Sequence, residues 1–312
     1  MTTTKKKTKI TTIYDVLGLD EKYLIKIADE VNIHYLSFPI KKSSGKTRWI
    51  DAPDDELKKI QKTILYKFIY KFEPHKKAYG FVKNKNVKDG AKLHLGATLL
   101  ISMDLKDFFN SIKQKRVEKC IKYLFTRYKR MHPYFKWEVA DPVIIATLLT
   151  HFEQVPQGAP TSPALANIIC IGLDYMLEAL SKNQGFIYHR YADDVNFSRK
   201  TKYNKNPKLM VQEIESISNG CGFRVNYKKT RITRPNCRMK VTGVVVNEKL
   251  SVERWRWRNF QAKLHNLKRD GKTISTKEYQ QLRGWCEWLK MLSPNRGKNF
   301  LKMLGELPIK NS

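Results

Sequence analysis

From Asp54 to Phe72 the apolar residues Leu57, Ile60, Ile64, Phe68 and Phe72 return every three or four positions, a period that predicts an amphipathic helix opened by Pro53 and Asp54. Residues 20–31 predict another. Between them, Tyr35 to Ile40 and Thr47 to Ile50 predict a hairpin around Ser43-Ser-Gly45. The run Ala97-Thr-Leu-Leu-Ile-Ser-Met-Asp104 has strand length and ends on a carboxylate, and Leu105 to Ile112 predicts a helix after it. Ser162-Pro163 starts a further helix whose apolar stripe is Leu165, Ile169, Gly172, Met176 and Leu180. Residues 185–190 and 195–198 predict a second hairpin with Tyr191-Ala-Asp-Asp194 at its turn. Beyond residue 254 the pattern is helical and basic, with Trp257, Phe260, Leu264 and Leu267 in one stripe and a second helix from about Lys277 to Met291.

The 312 residues include 60 Lys and Arg against 29 Asp and Glu, a net charge of +31 that points to a polyanionic partner. The longest apolar runs, such as Val143 to Leu149, fall far short of the roughly 20 residues that span a bilayer. The opening Met1-Thr-Thr-Thr-Lys-Lys-Lys is charged but lacks the apolar region of a secretory signal, so the expected location is cytoplasmic, with no membrane partner. Five cysteines without a Cys-x-x-Cys pair predict neither a disulfide framework nor a structural zinc site.

In a chain this basic, Asp193 and Asp194 repel each other and any nucleic acid that the surrounding cations attract, a conflict that divalent ions remove. Two-metal phosphoryl transfer needs several carboxylates, and Asp104, at the end of a neighbouring strand, completes a triad suited to magnesium. An Asp-Asp pair standing alone is more often a solvated turn or a cap, as at Asp54-Asp55.

The company of this pair changes that reading. Tyr191-Ala-Asp-Asp194 resembles the catalytic hairpin of reverse transcriptases. Asp104-Leu-Lys-Asp-Phe-Phe109 resembles the family's strand-end motif, in which the aromatic blocks a nucleotide 2′-OH. Gln157-Gly158-Ala-Pro-Thr-Ser-Pro163 is similar to the segment beneath the incoming nucleotide, and Gly222-Phe-Arg-Val-Asn-Tyr-Lys-Lys-Thr230 to the motif with a lysine near the triphosphate. The resemblance implies an α+β right-hand polymerase fold, with fingers, a palm of antiparallel sheet plus helices, and a small helical thumb. Its regions would be an N-terminal helical part at 1–34, fingers and palm at 35–247 and a basic thumb at 248–312.

It further implies Asp104, Asp193 and Asp194 as ligands of two Mg2+ ions, with Mn2+ a possible substitute, and Lys229, rather than Lys228, as proton donor to pyrophosphate. Lys46, Arg48, Phe109, Gln157 and Gly158 would contact the deoxynucleoside triphosphate. Arg254, Arg256, Arg258 and Lys263 would contact nucleic acid, with Trp257 buried and Trp255 undecided between stacking and core.

Val241-Thr-Gly-Val resembles the Val-Thr-Gly element of retron enzymes, although the same residues also suit an ordinary strand with a glycine bulge. Gly90-Ala-Lys-Leu-His94 resembles their Asn-Ala-x-x-His element, with glycine in place of asparagine. A retron assignment implies a structured noncoding RNA as template, priming from a guanosine 2′-OH, a branched RNA-linked cDNA, and phage defence with an effector protein. Diversity-generating, group II intron-like or abortive-infection reverse transcriptases, and a non-catalytic RNA-binding scaffold, are the alternatives.

Overall fold

The structure is a computed structural model that describes residues 10–41, 45 and 47–310. Its elements begin with α1 (Ile13–Leu17), α2 (Glu21–Asp29), β1 (Tyr35–Lys41), β2 (Thr47–Pro53), α3 (Asp55–Lys67), α4 (Val87–Leu93) and β3 (Leu99–Asp104). Next come α5 (Gln114–Met131), α6 (Asp141–Leu148), α7 (Ser162–Ile169), α8 (Ile171–Asn183), β4 (Ile187–Tyr191) and β5 (Asp194–Arg199). The chain continues through α9 (Pro207–Gly220), β6 (Arg231–Thr233), β7 (Lys240–Val241), β8 (Val244–Val245) and α10 (Arg254–Arg269). It ends with β9 (Ile274–Ser275), α11 (Thr276–Leu292), α12 (Pro294–Gly305) and β10 (Ile309–Lys310).

Two compact units result, one from residues 1–82, 105–178 and 214–226, the other from 83–104, 179–213 and 227–312. In the first, β1 and β2 pair antiparallel as expected, with Ser43 and Ser44 of the turn outside the described residues, and α3 starts where Asp54 accepts a hydrogen bond from the Leu57 amide, as its sequence signature requires. Helices α3 and α5 bury Ile60, Ile64, Phe125 and Tyr128, with Phe68 packed edge-on against both aromatics.

The second unit holds a four-stranded antiparallel sheet in the order β4-β5-β3-β6. Its C-terminal helices close over a separate core of Val241, Val244, Phe260, Leu264, Cys286 and Phe300. Gly297 lets α12 lie directly on α11, since a Cβ there would stand 2.2 Å from the Lys290 Cα.

Two sequence expectations are corrected and one open alternative is excluded. Leu105 to Ile112 is a chain of turns, not a helix. Asp107 takes a left-handed φ of 48°, Leu105 bridges Val225, and the Lys106 amide donates to the Arg224 carbonyl at 2.7 Å, so tertiary partners replace helical ones. The helix from Ser162 breaks at Cys170 into α7 and α8, which meet at 51°. The bend shifts the buried phase to Leu173 and Leu177 and leaves Gly172 and Met176 exposed. Third, Val241-Thr-Gly-Val is a two-residue hairpin, with Thr242 at φ 47° and Gly243 at φ 83°, not a strand with a bulge. No single helix among the described residues is long and apolar enough to cross a membrane, and none of the five cysteines, all among the described residues, forms a disulfide.

Candidate active site

Strand pleating sorts the sheet of the second unit into faces. Asp104 pairs with Asp194, which pairs with Tyr191; one row back Ser102 pairs with Asn196, which pairs with His189; behind these, Leu100 pairs with Ser198. Side chains two residues apart share a face, so the row holding two carboxylates sits at the end of a polar face. The other face carries Ile101, Met103, Val195, Phe197 and Tyr188, all buried.

Asp193 stands in the turn between β4 and β5, after Ala192, which has a φ of 55°. A two-residue turn with its first φ positive favours glycine, and an L-residue there costs about 1 kcal/mol. Arg190, fully buried, donates from Nη1 to the Ala192 carbonyl at 3.0 Å and so holds the turn from beneath.

Asp104 is only 6% exposed, and its Oδ2 accepts a 2.6 Å hydrogen bond from the Lys229 Nζ. Burial, then the neighbouring charges of Asp193 and Asp104, pushes the Asp194 carboxyl up to about 7. Burial and the charge of Asp104 raise Asp193 as well. The hydrogen bond to Asp104 raises the Lys229 ammonium and keeps it charged. Such a cluster is under electrostatic load that added positive charge relieves. Three carboxylates form a hard-oxygen donor set that fits magnesium or manganese. As they stand, with Lys229 on Asp104, no three His, Cys, Asp or Glu side chains among the described residues converge at ligating distance.

The first unit carries Arg48, Phe109, Gln157 and Gly158, while Lys46 lies outside the described residues. Phe109 is half-buried in the turns after β3, against Phe81 and Phe108, and it is Phe108 that stacks on Phe223 in the core. Arg48 is exposed on β2 opposite Ile40. The Gln157 carbonyl accepts from the Asp51 amide at 2.8 Å. A Cβ on Gly158 would lie 2.6 Å from the Asp51 carbonyl oxygen, so this glycine serves a close approach to β2.

On α10, Arg254, Arg256, Arg258 and Lys263 are all exposed. Arg256 pairs with Glu253 at 3.0 Å and Lys263 with Glu278 at 2.9 Å. Trp257 is half-buried beneath Arg296, whose guanidinium lies 4.8 Å from the ring centre, and Trp255 is 52% exposed.

Sequence reasoning named His94 only within the Gly90-Ala-Lys-Leu-His94 element and missed the polar row behind the carboxylates that it joins. His94, at the end of α4, is fully buried. Its Nδ1 lies 2.6 Å from Ser198 Oγ on β5 and its Nε2 lies 2.6 Å from His189 Nδ1 on β4, so one imidazole ties both arms of the Asp-Asp hairpin. Ser102 donates to Asn196 Oδ1 at 2.8 Å across β3 and β5. The available signal was alternation, with a polar side chain at every second position of strands too apolar to be exposed.

Residues 40–246 match the family model described as reverse transcriptase (RNA-dependent DNA polymerase). Among characterised proteins, the chain is 33% identical over 295 residues to the retron Mx162 reverse transcriptase of Myxococcus xanthus, covering 88% of this chain and 61% of that protein. It is 32% identical to the retron Mx65 reverse transcriptase of the same organism, covering 92% and 68%. To the retron Ec86 reverse transcriptase of Escherichia coli it is 29% identical, covering 92% and 84%. The chain thus spans about three-fifths to two-thirds of the two Myxococcus enzymes. Among solved structures, telomerase from Candida tropicalis in complex with a fragment of telomeric RNA matches with a TM-score of 0.52 at 12% identity, over 91% of this chain and 56% of that one, which shows a shared right-hand polymerase fold. By these matches the chain belongs to the reverse transcriptases and, within them, to the retron reverse transcriptases.

Proposed function

We propose that the protein is the RNA-directed DNA polymerase of a retron, copying a structured noncoding RNA into single-stranded DNA. The carrying observation is the convergence of Asp104, Asp194 and Lys229, with Asp193 in the adjoining turn, at one end of the four-stranded sheet in a retron-family chain. Asp104, Asp193 and Asp194 would hold two magnesium ions, which when bound activate the attacking hydroxyl and neutralise the triphosphate. Lys229, which bonds Asp104 at 2.6 Å, would be placed to donate its ammonium proton to the departing pyrophosphate once Asp104 served as a metal ligand. Phe109 excludes a 2′-OH, Gln157 and Gly158 underlie the nucleotide, and Arg48 and Lys46 meet its phosphates. Arg254 and Arg258 contact the nucleic acid more directly than Arg256 and Lys263, which already have carboxylate partners. The finer reading has priming from a guanosine 2′-OH of the same RNA, a branched product, cytoplasmic action and a defence effector as partner.

The test is to express the gene with its flanking DNA and extract nucleic acid. A short single-stranded DNA joined to RNA by a debranching-sensitive 2′,5′ bond is expected, and it should vanish in Asp193→Asn, with synthesis falling at least about a hundredfold while RNA affinity stays near wild type. Magnesium-dependent extension of an ordinary primer without that species would sink the retron part; an Asp193→Asn variant that still makes the DNA would sink the catalytic assignment.

A further inference from the structure

The first unit carries a line of cations built from none of the residues assigned above. On α5, Lys115, Lys119, Lys122, Lys129 and Arg130 are exposed. At 100° per residue they fall within one stripe about 100° wide, opposite the face that buries Val117, Ile121, Leu124, Phe125 and Tyr128. None of the five has a carboxylate within ion-pair distance among the described residues.

Glu118, half-buried at the edge of the stripe, is the one acid on α5 and forms no ion pair among the described residues, and aromatic rings border the rest. The Arg127 guanidinium lies 5.6 Å from the Phe72 ring centre and 5.9 Å from that of Tyr123, and Lys122 lies 6.0 Å from that of Trp137. Tyr66 and Tyr70, edge-on at 5.5 Å, are exposed on the segment that Phe68 anchors against α5. The thumb helix differs, because Arg256 and Lys263 are answered within the chain.

We propose that the outer face of α5 is a docking surface for the phosphate backbone of a structured RNA stem. The proposal rests on the retron reading for the presence of such an RNA and adds where on this chain it sits. From Lys115 to Arg130 the helix advances about 22 Å, roughly the length over which a duplex presents a dozen phosphates. Tyr123, exposed on α5 at the edge of the line, suits contact with ribose or an unstacked base. An acidic protein is the less fitting partner, because protein interfaces are depleted in lysine and centre on apolar anchors, whereas this stripe has five cations and no apolar residue on its axis.

The experiment compares the full chain with the combined variant Lys119→Gln, Lys122→Gln, Lys129→Gln, exposed substitutions whose fold is checked by thermal melting. The probe is a fluorescent 20-base-pair RNA hairpin, titrated across a series of potassium chloride concentrations. The slope of log affinity against log salt should fall by about 2 to 3 and affinity at moderate salt by at least about tenfold. Magnesium-dependent extension of a DNA primer annealed to RNA, at saturating enzyme, should not change. A wild-type slope in the variant overturns the proposal, and so does a loss of binding to polyglutamate with RNA binding intact, which would make the partner an acidic protein. If wild type extends no primer while the stripe variant still loses RNA affinity, the polymerase reading fails and the docking surface stands.

Discussion

At the scale of single residues, the cluster around Asp104 is defined by charges that oppose one another. The Asp194 carboxyl sits at about 7 in the fold against an ordinary value of 3.8. The native state therefore holds a proton that the unfolded chain has released, and the associated stability is present at low pH and lost as pH rises through about 7. Without divalent ions, the melting temperature should fall between about pH 4 and pH 8. Magnesium should raise it most at the alkaline end, and Asp194→Asn should flatten both trends, as calorimetry across this range would read. A magnesium effect independent of pH would contradict the assignment of Asp194 as a ligand. His94 acts on the same hairpin from behind. Its two 2.6 Å contacts reach both strands, so His94→Ala removes both and opens a cavity, with an expected cost of about 2–4 kcal/mol. Chemical denaturation is the measurement, and a loss below about 0.5 kcal/mol would show that His94 does not fasten the hairpin.

At the scale of elements, two turns carry residues that their backbone does not favour. Ala192 and Thr242 both have positive φ, in turns where glycine or asparagine is usual. The two differ in what surrounds them. Ala192 adjoins the Asp193 carboxylate and its carbonyl is held by Arg190, a strain that fits a functional turn. Thr242 is β-branched, and its buried hydroxyl finds no hydrogen-bond partner among the described residues. The change Thr242→Asn should therefore raise stability, by about 0.5–1 kcal/mol, without altering primer extension. Reduced extension at unchanged or raised stability would show instead that the threonine side chain takes part in function.

At the scale of the molecule, a net charge of +31 has to be distributed, and the fold does so unevenly. Glu253 accepts from Arg238, Lys240 and Arg256, and those cations hold its carboxyl below the usual range against the opposing effect of burial. Among the described residues, the cationic stripe of helix α5 has no ion-pair partner. Charge alone therefore does not locate a nucleic-acid surface; what locates one is the set of cations that the chain itself leaves unanswered.

Much of this was legible before any coordinates. Local periodicity determined α2, α3, both early hairpins and α10, because apolar spacing and caps such as Asp54 act over a few residues. The motifs determined which aspartates face one another, since the pleat fixes that Asp104 and Asp194, once paired, share a face. Only tertiary structure decided the rest. The turns of 105–112 replace a helix because the segment starts by pairing with one more than a hundred residues away, Leu105 bridging Val225 and the Lys106 amide bonding the Arg224 carbonyl. Gly158 is glycine because β2 passes 2.6 Å from where a Cβ would stand. The resemblance already favoured Lys229 over Lys228, but its bond to Asp104, like those of His94 to His189 and Ser198, is a contact of long sequence separation. A linear pattern records what each residue prefers locally; which distant group satisfies its remaining donor, acceptor or charge is settled when the chain closes on itself.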